Sequence, residues 1–226
     1  MESLSFRRGF TLVELVVVTG IITVIMGVVF SSQSTFNKSL ILANTAYDIA
    51  LSLRNAQTYG LGSRATAVGN VKNAGYGLHF QSSPAGSFTF FADTYPAPST
   101  FSVCHPTSDA SAPNALPGDC AYNQGQNEQV MSYALGNGIT IDNFCAFTNT
   151  GGLCQKASGS YGGGLVSLDI VFARPNPDPF MSVNGSYSPG SPVTSACLKL
   201  VSPQGGAKFI SVASSGGITA DAPSCP

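Results

Sequence analysis

An apolar run of 21 residues near the start of the chain, residues 10–30, most constrains how this sequence can fold, and its only charged residue is Glu14. As an α-helix it would be about 31 Å long, which matches the hydrocarbon thickness of a bilayer. Arg7 and Arg8 precede the run and no basic cluster follows it. The positive-inside rule then keeps the N-terminus in the cytoplasm and exports the remainder. The sequence therefore predicts a single membrane-spanning helix followed by an extracytoplasmic domain.

Two other interpretations of this run stay open. A cleaved signal peptide has an apolar region of roughly 7 to 15 residues followed by a small-x-small cleavage site. This run is longer, contains Glu14 and lacks such a site after it. A simple signal anchor would tolerate Glu14 because the residue lies near the membrane interface. A carboxylate costs about 2.5 to 3.5 kcal/mol at the centre of a membrane helix and less near its end, and a neighbouring cation would offset that cost.

Residues 8–14 read Arg-Gly-Phe-Thr-Leu-Val-Glu. This stretch resembles the class III signal of type IV pilins and type II secretion pseudopilins, in which a basic leader ends in glycine and glutamate is the fifth mature residue. The resemblance implies that a prepilin peptidase cuts between Gly9 and Phe10 and N-methylates Phe10. It further implies that Glu14 neutralises the amino group of Phe10 in a neighbouring subunit. Other pilins and an inner-membrane assembly platform are then the expected partners, with no cofactor.

The helical pattern continues beyond the apolar run. Apolar residues recur at spacings of three and four, which predicts an amphipathic helix, and Gly60 and Gly62 supply a stop. These apolar positions are Leu42, Ala46, Ile49, Ala50, Leu53 and Ala56. We therefore expect one helix of about 50 residues from Phe10 to about Tyr59. The predicted divisions are a leader (1–9), a transmembrane or filament-core helix (10–36), its amphipathic continuation (37–60) and a β-rich head domain (61–226).

From residue 75 onward the pattern changes to short β-branched and aromatic segments bounded by Gly, Pro, Ser and Asn, which predicts strands. The segments are YGLHFQ, SFTFFAD, QVMSYAL, GITIDNFCAF, LVSLDIVFAR, FMSVNG, ACLKLVS and AKFISVASSGGI. Alternation around Asp169 predicts a half-buried strand, and His79 is expected on the less buried side of its own strand. Residues 95–129 are interpreted as a long connection. The predicted fold class is α+β, with a long N-terminal helix packed on antiparallel sheet, in two small sheets.

Several of these segments carry a second, looser resemblance. The helix end SLRNAQTYGLGSRA, the strand YGLHF and the final strand pair CLKLVSPQGGAKFISVASSGGIT are similar to the GspH/FimT subgroup of minor pilins and pseudopilins. The resemblance implies a minor subunit of a pilus or a secretion pseudopilus.

Six cysteines lie in the second half of the chain, and their even number in a weakly charged, exported domain indicates up to three disulfides. Fifteen connectivities are compatible with six cysteines. Pairing neighbours closes the shortest loops, and the other connectivities stay open. The neighbour pairs are Cys104 with Cys120, Cys145 with Cys154, and Cys197 with Cys225.

Catalytic and metal-binding motifs are not recognisable in the sequence. The two histidines are His79 and His105, and His105 follows Cys104 in an extended stretch, where adjacent side chains point in opposite directions. The acidic residues are scattered and match no calcium loop. The sequence therefore predicts neither an enzyme nor a metal site.

DNA binding is an alternative function that charge can address. Charged residues make up 9% of the chain and the net charge is -1, so any attraction to phosphate would have to be local. A modest basic patch could form from Arg174, Lys199 and Lys208. The chain is predicted to be a pilin or pseudopilin subunit, membrane-bound before assembly and in an extracytoplasmic filament afterwards. A DNA-uptake pilin and a membrane-anchored β domain outside any filament are the alternatives.

Overall fold

The computed structural model describes residues 9–62, 73–95, 117–175 and 177–225, excluding the side chains of residues 31–37. The chain divides into two units, residues 1–41 and 42–226. One α-helix, α1, runs from Leu12 to Leu61 and is 50 residues long, which agrees with the predicted length. The α+β fold class is confirmed.

In the first unit, the apolar part of α1 makes no buried core. Leu12–Phe30 is long and apolar enough to cross a membrane, with a mean hydropathy of 2.6, and none of it is buried. Its two threonines satisfy their hydroxyl groups within the helix: Thr19 donates to the carbonyl of Leu15 at 2.9 Å and Thr23 donates to that of Thr19 at 2.8 Å. Such back-bonding removes the cost of carrying a free hydroxyl into an apolar layer.

In the second unit, eleven strands within the described residues form two sheets. The five-stranded sheet has the order β3-β2-β1-β7-β8, and the six-stranded sheet has the order β11-β10-β9-β4-β5-β6. Pairing is antiparallel except between β5 and β6, which are parallel. The strands are β1 Gly75–Gln81, β2 Ser87–Asp93, β3 Gln129–Ala134, β4 Thr140–Thr148, β5 Gly151–Cys154, β6 Gly162–Gly163, β7 Ser167–Phe172, β8 Phe180–Val183, β9 Ser195–Val201, β10 Ala207–Ala213 and β11 Ile218–Ala222.

The main core joins one face of α1 to both sheets. The predicted apolar stripe of the helix, including Leu42, Ile49 and Leu53, is buried in one cluster with residues of the two sheets. Gly60 allows the helix end to approach the sheet, because a β-carbon at this position would collide with the backbone carbonyl of Phe172 on β7. The segment that the sequence marks as a helix stop therefore also determines how closely the helix packs.

The structure corrects the prediction for β7. Its two faces were expected to differ in burial, yet Asp169 and Val171 on one face are as buried as Leu168 and Ile170 on the other. The reason is that a loop segment, residues 117–128, covers the outer face of the five-stranded sheet and brings Cys120 and Tyr122 against Phe91 and Val171. The sequence also gave no signal for the short strands β5 and β6, or for β11 as a separate strand.

Candidate assembly site

The predicted processing and assembly residues lie at the start of α1. Gly9 and Phe10 precede the helix and are exposed, with 79% of Phe10 accessible to solvent. The hydroxyl of Thr11 accepts a hydrogen bond from the backbone N–H of Glu14 at 3.3 Å, and its carbonyl accepts one from Leu15. Thr11 is therefore the N-cap of α1, three residues before a glutamate, which is the spacing of a capping box.

This geometry places the Glu14 carboxylate in the first turn of α1, in a segment, Leu12–Phe30, that has no other charged residue. Acidic groups in a first turn interact favourably with the helix dipole, by about 0.3 to 1 kcal/mol on an exposed surface. The side chain itself is exposed, whereas the threonine hydroxyls of the same segment bond within the helix. The carboxylate is therefore the one charged group that a membrane or a packed helix bundle would have to accommodate between Leu12 and Phe30.

A scan against protein-family models matches residues 4–30 to the prokaryotic N-terminal methylation motif. The chain thus carries a class III prepilin signal, which supports a type IV pilin-like protein. Searches of the curated proteins and of the solved structures gave no match. The matched residues include Gly9, Phe10 and Glu14, and the motif implies processing by a prepilin peptidase and assembly with other pilins. Together with the apolar helix, this match supports membrane anchoring of the chain.

The β-rich unit, residues 42–226, contains a group of buried carboxylates that sequence reasoning missed. Asp93, at the end of β2, accepts hydrogen bonds from the backbone N–H groups of Asp119 and Cys120 at 3.1 and 2.8 Å. Glu128, just before β3, accepts three more, from Thr94, Tyr95 and Asn123, at 2.7 to 2.8 Å. Asp93 and Glu128 are 0% and 1% exposed. These two side chains hold segment 117–128 against the five-stranded sheet.

Burial changes the ionisation of these carboxylates. Desolvation raises the pKa of Glu128 to about 7, although its three backbone donors lower it. Desolvation and the nearby Glu128 raise the pKa of Asp93 well above its ordinary value. Both groups therefore bind protons in the folded state at pH values where the unfolded chain has already released them.

These raised pKa values predict that the stability of the β-rich unit depends on pH. Between pH 4.5, the ordinary value for Glu128, and about 7, the folded state binds more protons than the unfolded state, so stability decreases as pH rises. We expect the urea midpoint of the full-length protein in detergent, followed by tyrosine fluorescence, to fall from pH 5 to pH 8. Glu128→Gln should flatten that fall, whereas Asp221→Asn, at an exposed carboxylate, should not. A midpoint that rises over this range would contradict the assignment.

A second set of buried polar residues, His79, Asp169 and Ser182, lies side by side on three neighbouring strands of the same sheet. His79 lies on the less buried side of β1, as expected, since Leu78 and Phe80 are 0% exposed, but at 8% exposure it is itself buried. Its Nδ1 lies 2.6 Å from Oδ1 of Asp169, and its ring packs on Tyr122 of the covering segment. Desolvation raises the pKa of Asp169, against the opposing effect of His79. Strand register places Ser182 beside Asp169, on the side away from His79.

His79, Asp169 and Ser182 do not include a serine nucleophile paired with a histidine base. The Ser182 hydroxyl donates to the carbonyl of Cys120 at 2.6 Å, and Nε2 of His79 lies 3.4 Å from Oε1 of Gln81. An activated serine would need the histidine rather than the aspartate beside it. Among the described residues, no group of histidine, cysteine and acidic side chains could hold a metal ion. The contacts of His79 and Ser182 with Tyr122 and Cys120 instead hold the covering segment, residues 117–128, against the sheet.

The described cysteines are in disulfide bonds. Cys145 bonds to Cys154 and Cys197 bonds to Cys225, and both pairs are among the neighbour pairs that close the shortest loops. Register explains the first bond, because Cys145 and Cys154 lie directly opposite each other on β4 and β5. Cys120 is also disulfide-bonded. Cys104 and His105 lie outside the described residues, so their predicted roles stay predictions.

The three residues of the predicted basic patch have local partners. Lys199 pairs with Asp142 at 2.7 Å, Lys208 pairs with Asp221 at 2.8 Å, and Arg174 donates to the side chain of Asn73. In the β9–β10 ladder, Lys199 lies opposite Phe209, and Lys208 lies opposite Leu200. The two lysines therefore occupy opposite faces of their sheet, since neighbouring residues of a strand alternate.

Proposed function

We propose that this protein is a structural subunit of a type IV pilus or a type II secretion pseudopilus, most simply a minor pilin or pseudopilin. The observation that carries the proposal is the position of Glu14. It is the one charge in the exposed apolar segment Leu12–Phe30 of α1, four residues after the proposed new N-terminus, Phe10. Pairing between Glu14 and the amino group of a neighbouring Phe10 would give the packed state an interaction that the lone subunit lacks. The likeness of the later segments to the GspH/FimT subgroup supports a minor role.

The proposal includes the route of the chain. The leader, residues 1–9, stays in the cytoplasm and is removed; the helix then holds the subunit in the cytoplasmic membrane until assembly. Afterwards the helix lies in the filament core, and the β-rich domain faces solvent or other subunits. Disulfides suit such an extracytoplasmic domain. The role is structural rather than enzymatic.

The DNA-uptake alternative receives less support from the charges. Phosphate binding needs clustered cations, and two of the three candidate cations already pair with carboxylates on opposite sheet faces. The alternative of an anchored domain outside any filament predicts that Glu14 is dispensable.

The experiment that tests the proposal is the N-terminal mass of the protein recovered from its own cells and from sheared filaments. We expect a chain that begins with N-methylated Phe10 in both fractions. A chain beginning at Met1, or one cut after the apolar run, would refute processing by the prepilin pathway. A processed chain that is found only in membranes would support the anchored-domain alternative.

A further inference from the structure

Within the described residues, one edge of the five-stranded sheet is left open. The two described sheets have four edge strands, and three of them are protected. β8 is buried at Met181 and Ser182, β6 is two residues long, and β11 carries Asp221 in an ion pair with Lys208. Short strands, covering segments and charges are the usual means of blocking unwanted strand pairing.

β3 lacks these protections. All six of its residues are exposed and none is charged, and Val130 and Met131 are 53% and 51% accessible. A bulge interrupts its pairing with β2 at Val130, after which residues 131–134 pair regularly. The N–H of Leu135 donates to Gly86 at 2.8 Å, on the β2 side. Because these groups alternate along an antiparallel strand, the N–H groups of Ser132 and Ala134 point to the open edge.

The apolar layer beneath β3 is also open. Met131 and Tyr133 lie opposite Phe90 and Phe88, which are core residues, so these β3 side chains extend the core face beyond the edge of the sheet. A groove of about 350 Å³ lies between this face and α1, where Ile49, Leu51 and Ser52 form the opposite wall. Leu51 is 56% exposed. A strand added beside β3 would direct every second side chain toward this groove.

We propose that β3 and this groove bind an extended, uncharged segment with apolar residues at alternate positions, contributed by the head domain of the neighbouring pilin-type subunit. The segment pairs with Ser132 and Ala134 through its backbone and places its apolar side chains beside Leu51 and Tyr133. Main-chain hydrogen bonds then supply affinity, and the groove supplies selectivity.

The choice of partner rests on the proposed function. One wall of the groove belongs to α1, the same helix through which subunits are proposed to pack. A subunit that lies along α1 is therefore the molecule that meets this wall. The single charged residue lining the groove is Asp48, so the surface disfavours an acidic peptide and is otherwise uncharged, which suits an uncharged strand.

The test uses the full-length protein in its own cells, with a benzophenone amino acid in place of Met131. Irradiation should yield a covalent adduct whose partner, identified by mass spectrometry, carries its own prepilin signal. The same probe in place of Val166, which is 59% exposed but lies outside the strands, should yield little or no such adduct.

A second variant tests the strand pairing itself. Ser132→Pro removes one outward N–H and leaves the inward hydrogen bonds to β2, whereas the matched variant Ser132→Ala keeps the N–H. We expect Ser132→Pro to reduce the adduct from the Met131 probe roughly tenfold, and Ser132→Ala to leave it unchanged. Equal adduct yields from both variants would overturn the strand-pairing proposal.

The remaining outcomes separate this inference from the proposed function. If the processed protein is present in filaments but gives no adduct from position 131, the docking surface is refuted and the subunit role stands. An adduct to a protein without a prepilin signal refutes the named partner. If the protein is neither processed nor assembled, the proposed function fails and this inference fails with it.

Discussion

Replacing Glu14 by alanine is expected to leave the protein processed and inserted in the membrane but to remove it from filaments. Truncating one member of a buried charge pair costs about 2 to 5 kcal/mol, so incorporation should fall roughly hundredfold. The helix start should survive, because Thr11 caps the backbone N–H of Glu14 rather than its side chain. Quantitative immunoblots of sheared filaments and membranes, together with the N-terminal mass, measure both effects.

The matched control for this change is Thr23→Ala. Its hydroxyl bonds to the carbonyl of Thr19 within the same helix, so removing it should leave incorporation unchanged. Equal incorporation of Glu14→Ala and the unaltered protein would show that the carboxylate is not an assembly group. The anchored-domain alternative predicts that result.

The second large effect is expected in the head domain, from Asp93→Ala. The substitution leaves the buried N–H groups of Asp119 and Cys120 without their acceptor, at about 1 to 3 kcal/mol each, and empties the space beside Gly118. We expect the free energy of unfolding to fall by about 3 to 5 kcal/mol. Asp93→Asn, which keeps the shape and one acceptor oxygen, should lose less. Urea unfolding of the full-length protein in detergent provides the measurement.

Asp221→Ala is the comparison for this experiment. Its carboxylate is about half exposed and pairs with Lys208 at the surface, and such pairs contribute about 0 to 1 kcal/mol. Similar losses for Asp93→Ala and Asp221→Ala would contradict the role of Asp93 in holding the covering segment. Increased amide exchange across residues 117–128 in the Asp93 variant alone would support it.

The sequence predicted most fully those features that depend on neighbouring residues. The apolar run, its one carboxylate and the preceding Gly9 and Phe10 are contiguous, so the helix and the motif could be recognised without a structure. The spacing of Leu42, Ile49 and Leu53 indicated the buried face of α1 for the same reason, because residues three or four positions apart lie on the same face of an α-helix. Strand alternation located eight segments but not which faces would be covered.

The strand around Asp169 was predicted incorrectly as half-buried because the cover of its outer face comes from a distant part of the chain. Backbone N–H groups hold residues 117–128 there: those of Asp119 and Cys120 donate to Asp93, and those of Thr94 and Tyr95 donate to Glu128. Backbone donors carry no residue identity, so this kind of contact leaves no pattern in the sequence. Lys199, one of the candidate phosphate-binding cations, is paired with Asp142 instead. That pairing likewise depends on the register between β4 and β9.

The sequence by itself thus determined the apolar helix of membrane-spanning length and the prepilin signal, since helix formation, hydrophobic length and the motif all depend on contiguous residues. Tertiary structure alone decided which carboxylates become buried, which cations are neutralised and which sheet edge stays open. Those outcomes depend on strand order and on loops that return across a sheet, and the free energy of each contact is set by partners far away in the chain.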